Sequence, residues 1–332
     1  MWRAITRRWQ TALALTALAS VLLAGCGAPP SGGGSSTLPG SNIPQFQHIF
    51  LIVMENNDYD DIIGSSQAPH LNALANQYGL ATNYWAVSHP SEPNYVALVG
   101  GSTFGIADDS SYTVNAVNQP YLGSQLEAAG LSWKSYQQGL PHPGFLGETA
   151  TTDGALYASK HNPFMNFLAH YPEAQRPGEL AKIVPESQLT ADLASGAVPN
   201  FSFVTPGLCD DMHGDPACGD EDTLVSAGDS YVNALVTQIM HADVWSQGNN
   251  AIFITWDESN GGGLGPFGIS SGGGHVATIV ITNHGPRGVK DSTAYNHYAL
   301  LLTIQDAFGL GCLQNSCPDT GGVQPMSLLL GG

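Results

Sequence analysis

The stretch "HIFLIVMEN", His48–Asn56, decides how this chain folds. Six apolar residues follow His48 without a polar break, and then a carboxylate and an amide arrive together. An unbroken run of this length, rich in β-branched side chains, predicts a strand covered on both faces, as in a parallel sheet. The pattern recurs in "NFSFVT" (Asn200–Thr205), "NAIFITW" (Asn250–Trp256) and "HVATIVIT" (His275–Thr282). Helical patterns lie between these runs. "HLNALANQYG" sets Leu71, Leu74 and Ala75 at helical spacing and stops at Gly79. Residues 222–242 and 295–309 read as two more helices. Such alternation predicts an α/β fold: a mostly parallel central sheet with helices on both faces.

In such a sheet, chemistry gathers beyond the carboxyl ends of the strands. Glu55 and Asn56 follow the first run, and Asp257 and Glu258 follow "NAIFITW". After "NFSFVT" comes "PGLCDDMHGD", with Asp210, Asp211 and His213. Three strands thus deliver acidic or imidazole groups to one edge. Glu55, Asn56, Asp257 and Glu258 offer only oxygen ligands, which suit a hard divalent cation. A capping turn at Glu55–Asn56, and a strand-end turn into "NGGGLGP" after Asp257–Glu258, are the competing structural readings.

"SHPSEPNY", Ser88–Tyr95, places Ser91 between two prolines before an apolar helical run. Ser91 is expected at the N-cap, with Pro93 in the first turn. As a cap it would only satisfy backbone donors. A hydroxyl at a helix start beside a metal is also well placed to attack a phosphate, with no histidine base required.

The chain has 332 residues, 42% apolar and 11% charged, enough for one sizeable core. Its net charge of −18 argues against a nucleic-acid-binding surface, which needs basic patches. Residues 1–26 combine Arg3, Arg7 and Arg8 with an apolar core ending in "LLAGC", the pattern of a lipoprotein signal peptide with Cys26 as lipid attachment site. Residues 27–42, "GAPPSGGGSSTLPGSN", read as a flexible tether, and 43–332 as one domain. The expected location is outside the cytoplasm, lipid-anchored to the cell envelope and facing the periplasm or exterior. In that oxidising setting Cys209 with Cys218, and Cys312 with Cys317, are expected as local disulfides; no CxxC spacing supports zinc.

Six blocks carry a resemblance: "HIFLIVMENNDYDDIIG", "TNYWAVSHPSEPNYVALVGG", "KHNPF", "FSFVTPGLCDDMHGD", "ITWDES" and "YNHYALLLTIQDAFGL". In this order they resemble the phosphoesterase family of bacterial phospholipases C and secreted acid phosphatases, within the alkaline phosphatase superfamily. The resemblance implies an alkaline-phosphatase-like fold, Ser91 as nucleophile, and a divalent metal held by Glu55, Asn56, Asp257 and Glu258, with Ser91 beside it. It also implies phosphate-binding or proton-transfer roles for His161, Asp211, His213 and His275, with His89 and His297 supporting from behind. The compact length and "HPSEPNY" look more like the acid-phosphatase branch; phospholipases commonly carry "DEHGGF"-like sequence where this chain has "DESNGGG". The expected substrate is a phosphate monoester. A phospholipase C-type phosphodiesterase and a non-catalytic surface binding protein on the same fold are the alternatives. No "GxSxG" supports a serine esterase.

Overall fold

Strand β1 is His48–Met54, and the rest of the sheet is laid out around it. In chain order the other strands are β2 (Gly79–Trp85), β3 (Trp133–Gln137), β4 (Thr149–Thr152), β5 (Ala155–Ala158), β6 (Ile183–Pro185), β7 (Phe201–Thr205), β8 (Asn250–Trp256), β9 (His275–Thr282), β10 (Val289–Asp291) and β11 (Tyr295–Asn296). The computed structural model describes residues 42–220, 223–268, 272–320 and 322–332. The expected signal peptide, Cys26 and the tether up to residue 41 lie outside the described residues.

The central sheet runs β10-β2-β9-β8-β1-β7-β3-β6, with β11 beside β2, while β4 and β5 form a separate hairpin. Strands β8, β1, β7, β3 and β6 are mutually parallel. Strand β9 is antiparallel to both neighbours, β8 and β2. Leu51 of β1 sits opposite Phe253 on one side and Phe203 on the other. Residues Ile49–Met54 are all buried. Each large apolar side chain so covered contributes about 1.5–3 kcal/mol.

That coverage comes from helices on both faces. Helix Ser91–Gly100 packs against helix His297–Ala307, and every residue of both is buried. Helix Pro69–Gln77 packs against helix Leu224–His241. The first of these helices stops at Gly101, whose φ of 75° closes it in the left-handed conformation that glycine adopts without strain.

Two local expectations are corrected. The strand expected from Asn200 begins at Phe201. Ser91 is not the N-cap: Pro90 holds that position and makes no side-chain capping bond, and Ser91 is the first helical residue. Its hydroxyl is therefore free to serve partners outside the helix. Both expected disulfides, Cys209–Cys218 and Cys312–Cys317, are formed.

Candidate active site

Adjacent strands β8, β1 and β7 end at the same edge, so the residues after them meet. Backbone bonds lock the meeting: Asp257 N–H donates to Met54 O at 2.9 Å, and Glu55 N–H to Asp211 O at 2.8 Å. Asn56, in the left-handed region at φ 47°, donates its N–H to Asp257 Oδ1 at 3.3 Å. Glu55, Asp211, Asp257 and Glu258 are all buried.

Ser91 sits at the centre. Its Oγ lies 3.1 Å from Glu55 Oε2 and 3.3 Å from Glu258 Oε1, and the residue is 1% exposed. Glu258 is held from its other side by His89 Nδ1 at 2.6 Å and Asn94 Nδ2 at 3.5 Å. The Glu258 carboxylate beside His89 raises that imidazole above its ordinary range, although partial burial opposes this.

His161 forms the inner wall. Its Nε2 is 3.0 Å from Glu55 Oε1 and its Nδ1 is 3.4 Å from Asp211 Oδ2, with the ring stacked on Tyr95 at 5.0 Å. Burial, followed by the positive charge of Lys160, pushes His161 well below the usual imidazole range. Burial also pushes Glu55 up to about 8, and raises Asp211 and Asp257 well above the carboxylate range. Neighbouring carboxylates add to each rise. His213 donates Nδ1–H to Gly214 O at 2.6 Å, which leaves Nε2 with the lone pair in the neutral ring. His297 is wholly buried, donates Nε2–H to Asp257 O at 2.6 Å and accepts from Tyr84 Oη at Nδ1, 3.0 Å.

Asn56, His89, His213, Glu258 and Ser259 line a cleft of about 490 Å³ over this cluster. His275 stands apart. It is stacked between Tyr59 and Trp85, at 4.5 and 5.0 Å, and donates Nε2–H to Thr82 O at 3.2 Å. It lines a separate pocket of about 210 Å³. Lys160 and Tyr95 were not singled out from the sequence, although both lie in the quoted blocks and flank His161 or Ser91.

The cluster fits a hard cation on one observation. Asp257 Oδ2 is buried with no hydrogen-bond partner, and Glu55 Oε1 and Asp211 Oδ2 are buried facing only the His161 ring, with no well-aligned hydrogen bond. Such oxygens are costly to leave bare, and a divalent ion is the partner their type prefers. Among the described residues no three His, Cys, Asp or Glu side chains already surround one common point. Glu55 and Glu258 close on Ser91 Oγ instead.

Comparison with known proteins identifies the family. The model of the phosphoesterase family matches residues 65–311. A phosphatidylinositol-3-phosphatase of Mycobacterium tuberculosis is 32% identical over 323 residues, 96% of this chain and 95% of the relative. An acid phosphatase of Aspergillus fumigatus is 29% identical, over 83% of this chain and 58% of its own length. A probable acid phosphatase of Kluyveromyces lactis is 31% identical, over 78% of this chain and likewise 58% of its own length. The chain therefore spans little more than half of these fungal relatives. Among solved structures, a protein in the alkaline phosphatase superfamily from Vibrio parahaemolyticus aligns with a TM-score of 0.53 at 13% identity, over 81% of this chain and 67% of that one. That likeness concerns the fold.

Proposed function

The chain belongs to the phosphoesterase family and hydrolyses phosphoric esters, and from that premise we propose that it is a metal-dependent acid phosphatase acting on phosphate monoesters through Ser91. The observation that carries this reading is the buried Ser91 Oγ held between the carboxylates of Glu55 and Glu258. In the first half-reaction Ser91 Oγ bonds to phosphorus, the bond to the alcohol oxygen breaks, the hydroxyl proton passes to one of these two carboxylates, and the departing oxygen takes a proton from water in the cleft to leave as the alcohol. In the second, water opens the phosphoserine, restoring Ser91 and releasing inorganic phosphate. His213, on the cleft wall, carries a ring nitrogen free to take the proton of that water. His161, with its ring nitrogens facing Asp211 and Glu55, holds the Glu55 carboxylate in position beside Ser91.

Glu55, Asn56, Asp257 and Glu258 would hold the divalent cation, which supplies positive charge to the phosphoryl oxygens and lowers the cost of ionising Ser91. The unpartnered Asp257 Oδ2 supports that ligand set. His89, paired with Glu258, and His297, bonded to the backbone of Asp257, support it from behind. His275 belongs to the reading only as a residue of the neighbouring pocket.

Export and lipid attachment at Cys26 are proposed from the sequence of residues 1–42. Among the described residues no helix is long and apolar enough to cross a membrane. Cys26→Ala should release the protein from the membrane fraction. The function is tested by assaying purified protein on phosphate mono- and diesters, with and without chelator. Monoester turnover that chelator abolishes and added metal restores is the expected result. Turnover indifferent to chelator would refute the metal, and preference for diesters would refute the monoester assignment.

A further inference from the structure

Four buried carboxylates surround Ser91, yet the group to be attacked there is an anion. Cationic help is needed, and the described residues offer little. Lys134 pairs with Asp192, Lys182 with Glu127 and Glu179, and Lys290 with Asn76. Arg176 and Arg287 are spent on backbone carbonyls. Lys160 remains.

We propose that Lys160, held in place by Asp109, is a phosphate-binding cation that makes this site select dianionic monoesters over monoanionic diesters. The proposal rests on the Ser91-centred reading above. Lys160 Nζ lies 2.9 Å from Asp109 Oδ2, and Asp109 Oδ1 accepts the backbone N–H of Glu92, also at 2.9 Å. One carboxylate thus ties the ammonium to the residue that follows Ser91. From the other direction, Lys160 precedes His161, which lies 3.0 Å from Glu55. Its side chain is 24% exposed, so it is not sealed from solvent.

The electrostatics agree. Among charged neighbours of Glu55, the Lys160 ammonium has the largest influence, and it acts on Asp211 as well. In return, although burial opposes its charge, Glu55, Asp109 and Asp257 hold Lys160 above the ordinary lysine range. The side chain is cationic at any pH at which a phosphatase works.

The substrate class follows from charge. Coulomb attraction scales with the charge of the ligand, so a fixed cation helps a dianion twice as much, in free energy, as a monoanion. A phosphate monoester is a dianion above pH ~6, whereas a diester carries one charge. Asp109 acts as a positioning residue: it touches no substrate and sets where the ammonium stands.

The test compares kcat/KM for p-nitrophenyl phosphate and bis(p-nitrophenyl) phosphate at pH 7.5, in the metal-loaded full chain and in Lys160→Met, Lys160→Arg and Asp109→Asn. Lys160→Met should lose about tenfold on the diester and about a hundredfold on the monoester, the square that charge scaling requires. Lys160→Arg should regain most of the monoester loss. Asp109→Asn should move the monoester-to-diester ratio in the same direction by less, and it serves alone if Lys160→Met does not fold. Equal losses on both esters, or none, would overturn the proposal. Wild-type protein that hydrolyses neither ester would instead refute the phosphoesterase reading. Calorimetric binding of inorganic phosphate then decides the role of Lys160: at least tenfold weaker binding in Lys160→Met supports it, and unchanged binding sinks it.

Discussion

Replacing Ser91 with alanine separates a structural hydroxyl from a chemical one. Because Pro90 is the N-cap and Ser91 makes no capping bond, the usual cap loss of about 1 kcal/mol does not apply. What is lost is the bond to the carboxylates. The hydroxyl has one proton and two acceptors, at 3.1 and 3.3 Å, so it donates to one at a time. A hydrogen bond to a charged group is worth about 1.5–3 kcal/mol, and alanine at a helix start recovers a few tenths through propensity. The metal-free variant should therefore lose about 1–3 kcal/mol, measured by urea unfolding at pH 9, where Glu55, pushed up to about 8 by burial, is ionised. Turnover should fall far more, by at least about a thousandfold, equivalent to roughly 4 kcal/mol of barrier. The assay is single-turnover hydrolysis with peptide mapping for phosphoserine, in wild type and variant at saturating metal. A variant within tenfold of wild-type turnover, or a phosphoserine found elsewhere, would remove Ser91 from the chemistry.

Asp257→Asn removes a buried carboxylate whose Oδ2 has no partner, so the metal-free protein should be no less stable than wild type at pH 7 while its metal affinity drops. At an ion concentration of about 100 Kd the wild type gains about 2.7 kcal/mol, and a variant binding a hundredfold more weakly gains only about 0.4; thermal shifts on titrating metal check this. His297, held down to about 4 by burial, stays neutral in the fold while an unfolded imidazole takes a proton below about 6.5. The His297 contribution to stability should therefore be fully present above pH 6.5 and fall by about 3 kcal/mol as pH drops from 6.5 to 4, while the raised carboxyls of Glu55, Asp211 and Asp257 work in the opposite direction. Denaturant unfolding at both pH values isolates it: relative to wild type, His297→Gln should gain about 3 kcal/mol between pH 6.5 and pH 4, and an unaltered difference would contradict the assignment. Gly265→Ala would set a Cβ 2.2 Å from the Trp85 ring, so the loop must shift. A cost of about 1–3 kcal/mol and altered tryptophan fluorescence are expected, and an unchanged spectrum and melting temperature would count against that contact.

The interior of the sheet was legible because β1, β8 and β9 are buried throughout or nearly so, and such strands read as continuous apolar runs. Outer strands carried no such signal. Strand β2, "GLATNYW", mixes polar and apolar positions, and β6 and β10 have three residues each. Nothing in "HVATIVIT" indicated that β9 runs antiparallel, since a buried run looks the same in either direction. The acids after β1 and β8 could be read because each directly follows its strand. The partners of Ser91 could not be derived from local pattern, because Glu55 and Glu258 are 36 and 167 residues away. Histidines divide in the same way. His161 reached the cluster and His275 did not, a difference set by the aromatic rings of Tyr59 and Trp85 rather than by its own neighbours in sequence.

The direction of β1 has a practical consequence for handling the molecule. The strand enters from His48 and delivers Glu55 at its far end, so residues 45–47, bonded to Asp306, Ala307 and Asn249, occupy the opposite pole from the cleft. Gly332 ends at that same pole, so near Asn42 that a Cβ on it would strike the Asn42 carbonyl oxygen. The end at Gly332 can therefore carry an affinity handle or a bead linkage with the cleft facing outward into solution. In a chain shortened to begin at Asn42, a short linker from Gly332 would let it be reopened elsewhere, at an exposed turn such as Asp153–Gly154 between β4 and β5, as a circular permutant with Ser91 and its neighbours untouched.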